Sequence, residues 1–450
     1  MAQVRVGWRS LVFAIAFVSS QLVEAQRGPP LRTLGDAVVA TPERYASASS
    51  IRELSDGRVL LNDVVGRKVV LLDTLLRLRR IVADTTHATQ LAYGRGPSAL
   101  FPYRGDSSIL VSPNALALLV IDPAGSIVRV MAVPRTQDLV GLSGGSNGLP
   151  GFDQNGRLIY RKPPTQKGVV AFEAGEYRIV KTRPEELRDS TPLVRFDLDT
   201  RRLDTLTFLA FETPGAREFV RNCSKYIVPV LNPFAIVDDW ALLADGSVAA
   251  VRGRDYRVDW IGSGRSVRSS GRLQYNWIRL DDDAKRAVLD STVAAYDRIR
   301  RNRALAGSAD LVNGLPATMQ AQSIAGTVIG MPGRGCVTGA PRPSGRGPAG
   351  GGADSDLFPV HLVMPHDLPD YPPAFGMGAT VADRAGRIWV RTNLTVGGSS
   401  LYDVIDPARG QLERVMVPPG RVIVGFGSQN RVYLAVRDSA GVRVEVARER

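Results

Sequence analysis

The sequence predicts an all-β chain: a six-bladed β-propeller closed by an N-terminal strand, carrying one helical and Gly/Pro-rich insertion. Three observations predict it. A tight turn followed by a strand recurs six times. Each such unit is followed by a second strand that often ends in an acidic turn. Where nothing is inserted, comparable turns recur about every 45–50 residues. Repetition at that period is the mark of a propeller rather than of a single sheet.

The turn-plus-strand units are Ser55-Asp-Gly-Arg-Val-Leu60, Gly105-Asp-Ser-Ser-Ile-Leu110 and Gln154-Asn-Gly-Arg-Leu-Ile159. Then come Ala244-Asp-Gly-Ser-Val-Ala249, Arg384-Ala-Gly-Arg-Ile-Trp389 and Ser428-Gln-Asn-Arg-Val-Tyr433. Asp-Gly and Asn-Gly suit hairpins because both residues tolerate positive φ. The β-branched runs that follow argue for strands. Second strands end at Asp73, Asp122, Asp197, Asp259, Asp406 and Glu445, and third candidates run over 75–82, 127–133, 203–209 and 412–417. The last unit has no further strand before Arg450, so Leu31-Arg-Thr-Leu-Gly-Asp-Ala-Val-Val-Ala40 is expected to close the ring. Closure would cover two sheet edges that otherwise template aggregation. Two β-sandwich domains are the competing architecture, and the turn spacing favours the propeller.

The period breaks twice. Ninety residues separate Gly156 from Gly246, so the third blade is expected to carry long loops over 162–173 and 183–190. Between Gly246 and Gly386 lie 140 residues, which places an insertion at 278–353. Within it a helix is expected over about 282–304, capped by Asp281-Asp-Asp283 and with Val288, Leu289, Thr292, Ala295, Tyr296 and Ile299 on one face. Ile324–Met331 is a candidate strand returning to the ring. The stretch 331–353, dense in Gly, Pro and Arg, buries little and is expected to be a loop.

Composition narrows the function classes. The 450 residues are 44% hydrophobic and 22% charged, which excludes a disordered or collagen-like chain. The net charge of +13 is spread, with Arg far outnumbering Lys and no basic run longer than a pair, so nucleic acid is not an expected partner. Residues 1–25 read as an export signal: Arg5 and Arg9, the apolar run from Leu11 to Val18, and Val23-Glu-Ala25 before a cleavage site. That run is too short to span a bilayer. The expectation is a secreted or periplasmic monomer whose single propeller occupies 26–450. Cys223 and Cys336 are the two cysteines, and export permits one disulfide between them.

The repeats at 55–60, 244–249 and 384–389 resemble those of six-bladed propellers of the NHL/TolB-like class. Arg257-Val-Asp-Trp260, Trp277, the helix from Asp281 and Leu368-Pro-Asp-Tyr-Pro-Pro-Ala-Phe375 resemble a group of secreted bacterial six-bladed propeller proteins. That resemblance covers most of the mature chain. It implies the fold and carries over no catalytic residue, because the group has no shared activity. Propeller lactonases are similar in fold and hold a divalent cation with Glu, Asn and Asp. NHL-type lyases, also similar in fold, use several metal-binding His.

Searching for such chemistry finds little. The three His match no metalloprotease spacing. His361 and His366, with Asp367, are weak candidates for a divalent cation. Asn62, Asp63, Asn114, Asp153, Asn232 and Asn393 are acidic and amide candidates for a channel site. No nucleophile elbow appears beside a suitable His and acid. The residues therefore favour a binding module for a protein, peptide or glycan over an enzyme, and leave enzyme activity undecided. A metal-dependent, lactonase-like hydrolase or lyase at the central channel is the alternative.

Overall fold

The computed structural model describes residues 28–94, 98–163, 171–173, 176–178, 189–212, 215–221, 224–301, 329–332 and 361–449. The predicted signal segment and both cysteines lie outside the described residues.

Six four-stranded antiparallel blades form the ring. Their first strands are Ser50–Glu53, Leu100–Pro102, Gly151–Phe152, Asp239–Leu242, Thr380–Ala382 and Arg421–Phe426. The predicted tight turns join first to second strands in every blade. In blade 3, Asp153 accepts from the N–H groups of Asn155 and Arg157 at 3.0 and 2.9 Å, and from Arg157 Nε at 2.9 Å. Asp383 repeats this with Ala385 and Arg387 in blade 5. An acid at the first turn position and Arg four residues on thus lock the hairpin (Asp-x-x-Gly-Arg). In blade 6, Gln429 and Asn430 supply the positive φ that Gly supplies elsewhere.

The sheets bury continuous apolar runs on both faces. Val59–Asp63, Ser108–Ser112 and Ala117–Ile121 are buried along their whole length. The core is therefore a series of layers between blades, as in the cluster of Leu60, Leu71, Leu100, Leu110 and Ile121 between blades 1 and 2.

Closure is double. Ala37–Ala40 pairs antiparallel with Gly441–Arg448 and becomes the outer strand of blade 6, as the sequence implied. Leu31–Thr33 does something else: it pairs in parallel with Gly410–Val417, adding a fifth strand to blade 5. Leu34, buried between these two sheets, explains the division of one apolar run into two strands.

The helix spans Asp282–Arg301; of the predicted stripe it buries Leu289, Thr292 and Ala295 and half-buries Val288 and Tyr296, Lys285 is buried as well, and the Ile299 side chain lies outside the described residues. Asp281 Oδ1 accepts from Ala284 N at 2.8 Å, the expected N-cap. Asp281→Ala is expected to cost about 1 kcal/mol, read as a lower urea midpoint with unchanged slope.

One loop and one strand expectation are corrected. Ala171–Glu173, inside the expected loop 162–173, pairs with Glu176–Arg178 just beyond it as a small hairpin. Ile329–Pro332 is a strand, but it does not return to the ring. It joins a second sheet made by the hairpin Gly215–Arg221 and Ser224–Leu231, which His361–Leu362 extends in parallel. Two separate blade connections thus fold together. The helix lies on this unit through Leu289 against Phe234 and Leu368, and Ala295 against Leu231.

Candidate recognition surface

Antiparallel strands send alternate connections to opposite ends of a sheet. First-to-second and third-to-fourth turns fall on one face of the ring and are all short. Second-to-third and blade-to-blade connections fall on the other. Among the described residues the longer connections, such as 84–94, 133–150, 224–238, 270–301 and 361–379, start or end on that face. Loops on a rigid ring are where binding residues usually sit.

Three of these segments meet over the inner strands of blades 3 to 5. A side chain at Gly378 would lie 3.1 Å from Gly145 O, so the entries to blades 3 and 5 touch. Trp240 Nε1 donates to Asn147 O at 2.7 Å. Beneath them Arg161 is buried and donates to Thr191 Oγ1 at 2.7 Å, Asp238 O at 3.2 Å and Ala210 O at 3.1 Å. Burial pushes its guanidinium down to about 10, against the opposing charges of Asp239 and Asp238. Asp239 is buried too and accepts from Thr380 N at 2.7 Å; burial holds its carboxyl above the usual range. Arg161 and Trp240 bond mainly to backbone and so fix the connections, while Asp239 Oδ1 is buried without a hydrogen-bond partner.

An aromatic ladder leads outward from this core. Phe375 and Tyr256 stand 5.7 Å apart, Tyr256 and Tyr275 5.6 Å, and Tyr275 and Trp277 4.8 Å, the last two pairs edge to face. Tyr256 is anchored through its hydroxyl to Asp403 at 2.6 Å, and Arg414 clasps the same carboxylate at 2.6 Å. Arg414 also donates to Gln274 O at 3.2 Å, fixing the segment that carries the outer rings. The ladder ends in solvent: Trp277 is 44% exposed and Ile278 59%. Leu280 N donates to Asp370 O at 2.7 Å, which brings this edge beside Tyr371, itself 48% exposed. Arg279 and Lys285 pair with Asp370 there. Rigidly held aromatic rings beside Arg are the usual composition of binding hot spots.

No protein-family model matches the chain, and no curated protein sequence matches it. Solved structures do. A gluconolactonase from Xanthomonas campestris is 10% identical, with 94% of this chain and 99% of that chain aligned and a TM-score of 0.36. The calcium-binding protein regucalcin from Agrobacterium tumefaciens is 12% identical, with 94% and 97% aligned and a TM-score of 0.38. A member of the DUF4221 family from Bacteroides vulgatus is 9% identical, with 92% and 95% aligned and a TM-score of 0.42. At these values none of them lends its activity to the present chain.

The acidic and amide candidates are dispersed rather than brought together. Asn62 donates to Ser98 O at 2.7 Å and accepts from Tyr93 OH at 2.9 Å, tying blade 1 to the next connection. Asp63 accepts from Ala46, Ser47 and Gly66 backbone N–H groups. Asp153 locks its turn on the opposite face. Asn232 bonds Glu212 and Phe234, Asn393 donates to Pro373 O, and Asn114 is exposed beside Gly94. His361 sits in the second sheet opposite Val230. His366 is exposed, with Nε2 3.5 Å from Asp367 Oδ1, while Asp367 Oδ2 accepts from Met364 N at 3.2 Å. Among the described residues, no three His, Cys, Asp or Glu side chains form a group that could hold a metal ion.

Sequence reasoning named Trp277 and the 368–375 segment only as points of resemblance. It did not foresee that they share one edge. The available signal was the clustering of Tyr275, Trp277, Tyr371 and Phe375 on the two flanks of one insertion.

Proposed function

We propose that this protein is an exported propeller that recognises a protein or peptide through the rim of its built-out face. The observation that carries the reading is the aromatic ladder, anchored inside by Asp403 and Arg414 and ending in exposed Trp277. Holding large rings in place before binding removes part of the ordering cost of association. Ile278 and Tyr371 extend the apolar surface, and Arg279 supplies a polar edge. Among the described residues no helix is long and apolar enough to cross a membrane.

The test is capture by immobilised protein spanning 26–450. Trp277→Ala is expected to weaken a partner retained from the native envelope extract by about 2 kcal/mol or more, roughly thirtyfold. Cooperative unfolding should persist, because the ring's core does not include Trp277. Equal retention by both proteins would contradict the reading. Retention of saccharides in place of polypeptides would replace it with glycan stacking on Trp277.

A further inference from the structure

The opposite face, with its short turns, holds a second feature. The first-to-second turns of blades 2 and 3 enclose a cleft of about 470 Å³. One wall is aromatic: Tyr103 meets Phe152 edge to face at 4.9 Å. Arg104 stands exposed at the rim, 5.8 Å from the centre of the Tyr103 ring. The exposed amide side chains of Gln154 and Asn155 line the cleft from the neighbouring blade.

The charge of Arg104 is not cancelled. Asp106, two residues on, accepts from Ser55 N at 2.9 Å and pairs with Arg52 at 3.4 Å. Asp153 is taken by Arg157 at 2.8 Å. Among the described residues Arg104 makes no ion pair. Arg384 occupies the same turn position in blade 5 and shows the contrast. It donates to Glu53 O at 2.5 Å and lies 3.9 Å from Glu53 Oε1. The smaller cleft beside it, about 230 Å³, is occupied by the pairs of Arg387 with Asp383 and Glu449. Only one of these two turn clefts therefore offers an aromatic wall with an uncommitted guanidinium at its rim.

We propose that this cleft binds an aromatic carboxylate. The carboxylate pairs with Arg104, whose planar fork matches it in bidentate geometry. The ring of the ligand stacks against Tyr103 and Phe152. Gln154 and Asn155 bond its polar backbone. The volume falls within the range of small-molecule sites. The same chemistry is offered by a free N-acyl aromatic amino acid and by the C-terminal residue of a peptide.

Calorimetric titration of the chain 26–450 tests this with three probes: N-acetyl-L-phenylalanine, its primary amide, and a hexapeptide ending in phenylalanine carboxylate. The free acid or the peptide is expected to bind, and the amide at least tenfold more weakly. Arg104→Gln should weaken the acid at least tenfold, whereas Arg384→Gln should not. Among the described residues the Arg104 side chain makes no hydrogen bond or ion pair and only stands over the Tyr103 ring, so the melting temperature of its variant should stay close to that of the wild type. Tighter binding of the peptide than of the free acid assigns the site to a chain terminus, and the reverse assigns it to a free acid. The proposal is overturned if neither acid binds at millimolar concentration, if the amide binds as well as the acid, or if Arg104→Gln binds like the wild type.

Discussion

Replacing Arg161 by methionine is expected to destabilise the protein by about 3–5 kcal/mol, a large share of the stability of an ordinary domain. Methionine keeps much of the length and apolar volume but none of the donors. Thr191 Oγ1 and the Asp238 carbonyl would then lose the Arg161 donor, whereas the Ala210 carbonyl keeps the Asp238 N–H. Each buried polar group left without one costs about 1–3 kcal/mol. The positive charge that offsets Asp239 and Asp238 would vanish as well. The loss falls where blade 3 is joined to the connection that leads to blade 4, so it should appear as a lower urea midpoint for the whole ring. Arg161→Lys restores a charge without the fork and should recover only part of it. A midpoint for Arg161→Met within about 0.5 kcal/mol of wild type would show that the buried layer does not hold these connections.

The second large effect is expected at the seam where the ends of the chain meet. Glu53, in the first strand of blade 1, accepts from Tyr433 OH at 2.6 Å and Ser428 N at 2.8 Å, with Arg431 Nε at 3.3 Å. Gly427 packs against it so closely that a side chain there would clash with the carboxylate. Burial alone would raise the Glu53 carboxyl, but the bonds from Tyr433 and Ser428 and the Arg431 charge hold it below the usual glutamate range. Its stabilisation is therefore complete above the unfolded-state pKa and is lost as pH falls through the lower folded value. Glu449, held low by Arg387 and Arg32 despite its burial, acts with the same sign. Glu53→Gln should cost about 2 kcal/mol at neutral pH and flatten the acid limb of the stability curve. Thermal melts of both proteins from pH 7 down to pH 3 read both effects. An unchanged acid limb would mean that Glu53 is not a closure bond.

What the sequence made legible follows from where repetition was strict. Five of the tight turns place a glycine at positive φ (Gly57, Gly105, Gly156, Gly246 and Gly386) and the sixth uses Gln429-Asn430, and a buried strand follows each, so six blades could be read directly. The helix was legible because Asp281 caps it and Leu289, Thr292 and Ala295 recur at helical spacing. The second sheet was not. Its middle strand, Ser224–Leu231, contains Pro229, whose missing N–H argues against an interior strand. Two of its three partners come from segments about a hundred residues or more away. The two roles of 31–40 were hidden for a similar reason, since nothing local distinguishes a parallel fifth strand from a closing one. The recognition edge was illegible because it arises from packing. Tyr256 and Tyr275 flank the outer two strands of blade 4, but Phe375 lies a hundred residues beyond Tyr275 and reaches Tyr256 only once blades 4 and 5 are adjacent.

The central claim is that the Trp277 edge is the recognition surface, and site-specific photocrosslinking tests it most directly. A benzophenone residue is placed at Ile278, and separately at Val130, which is as exposed but lies on the outer strand of blade 2. In the native envelope extract, a discrete adduct is expected from position 278 alone, and it should disappear when Trp277→Ala is added. The absence of a position-278 adduct, or the same adducts from both positions, would contradict the account.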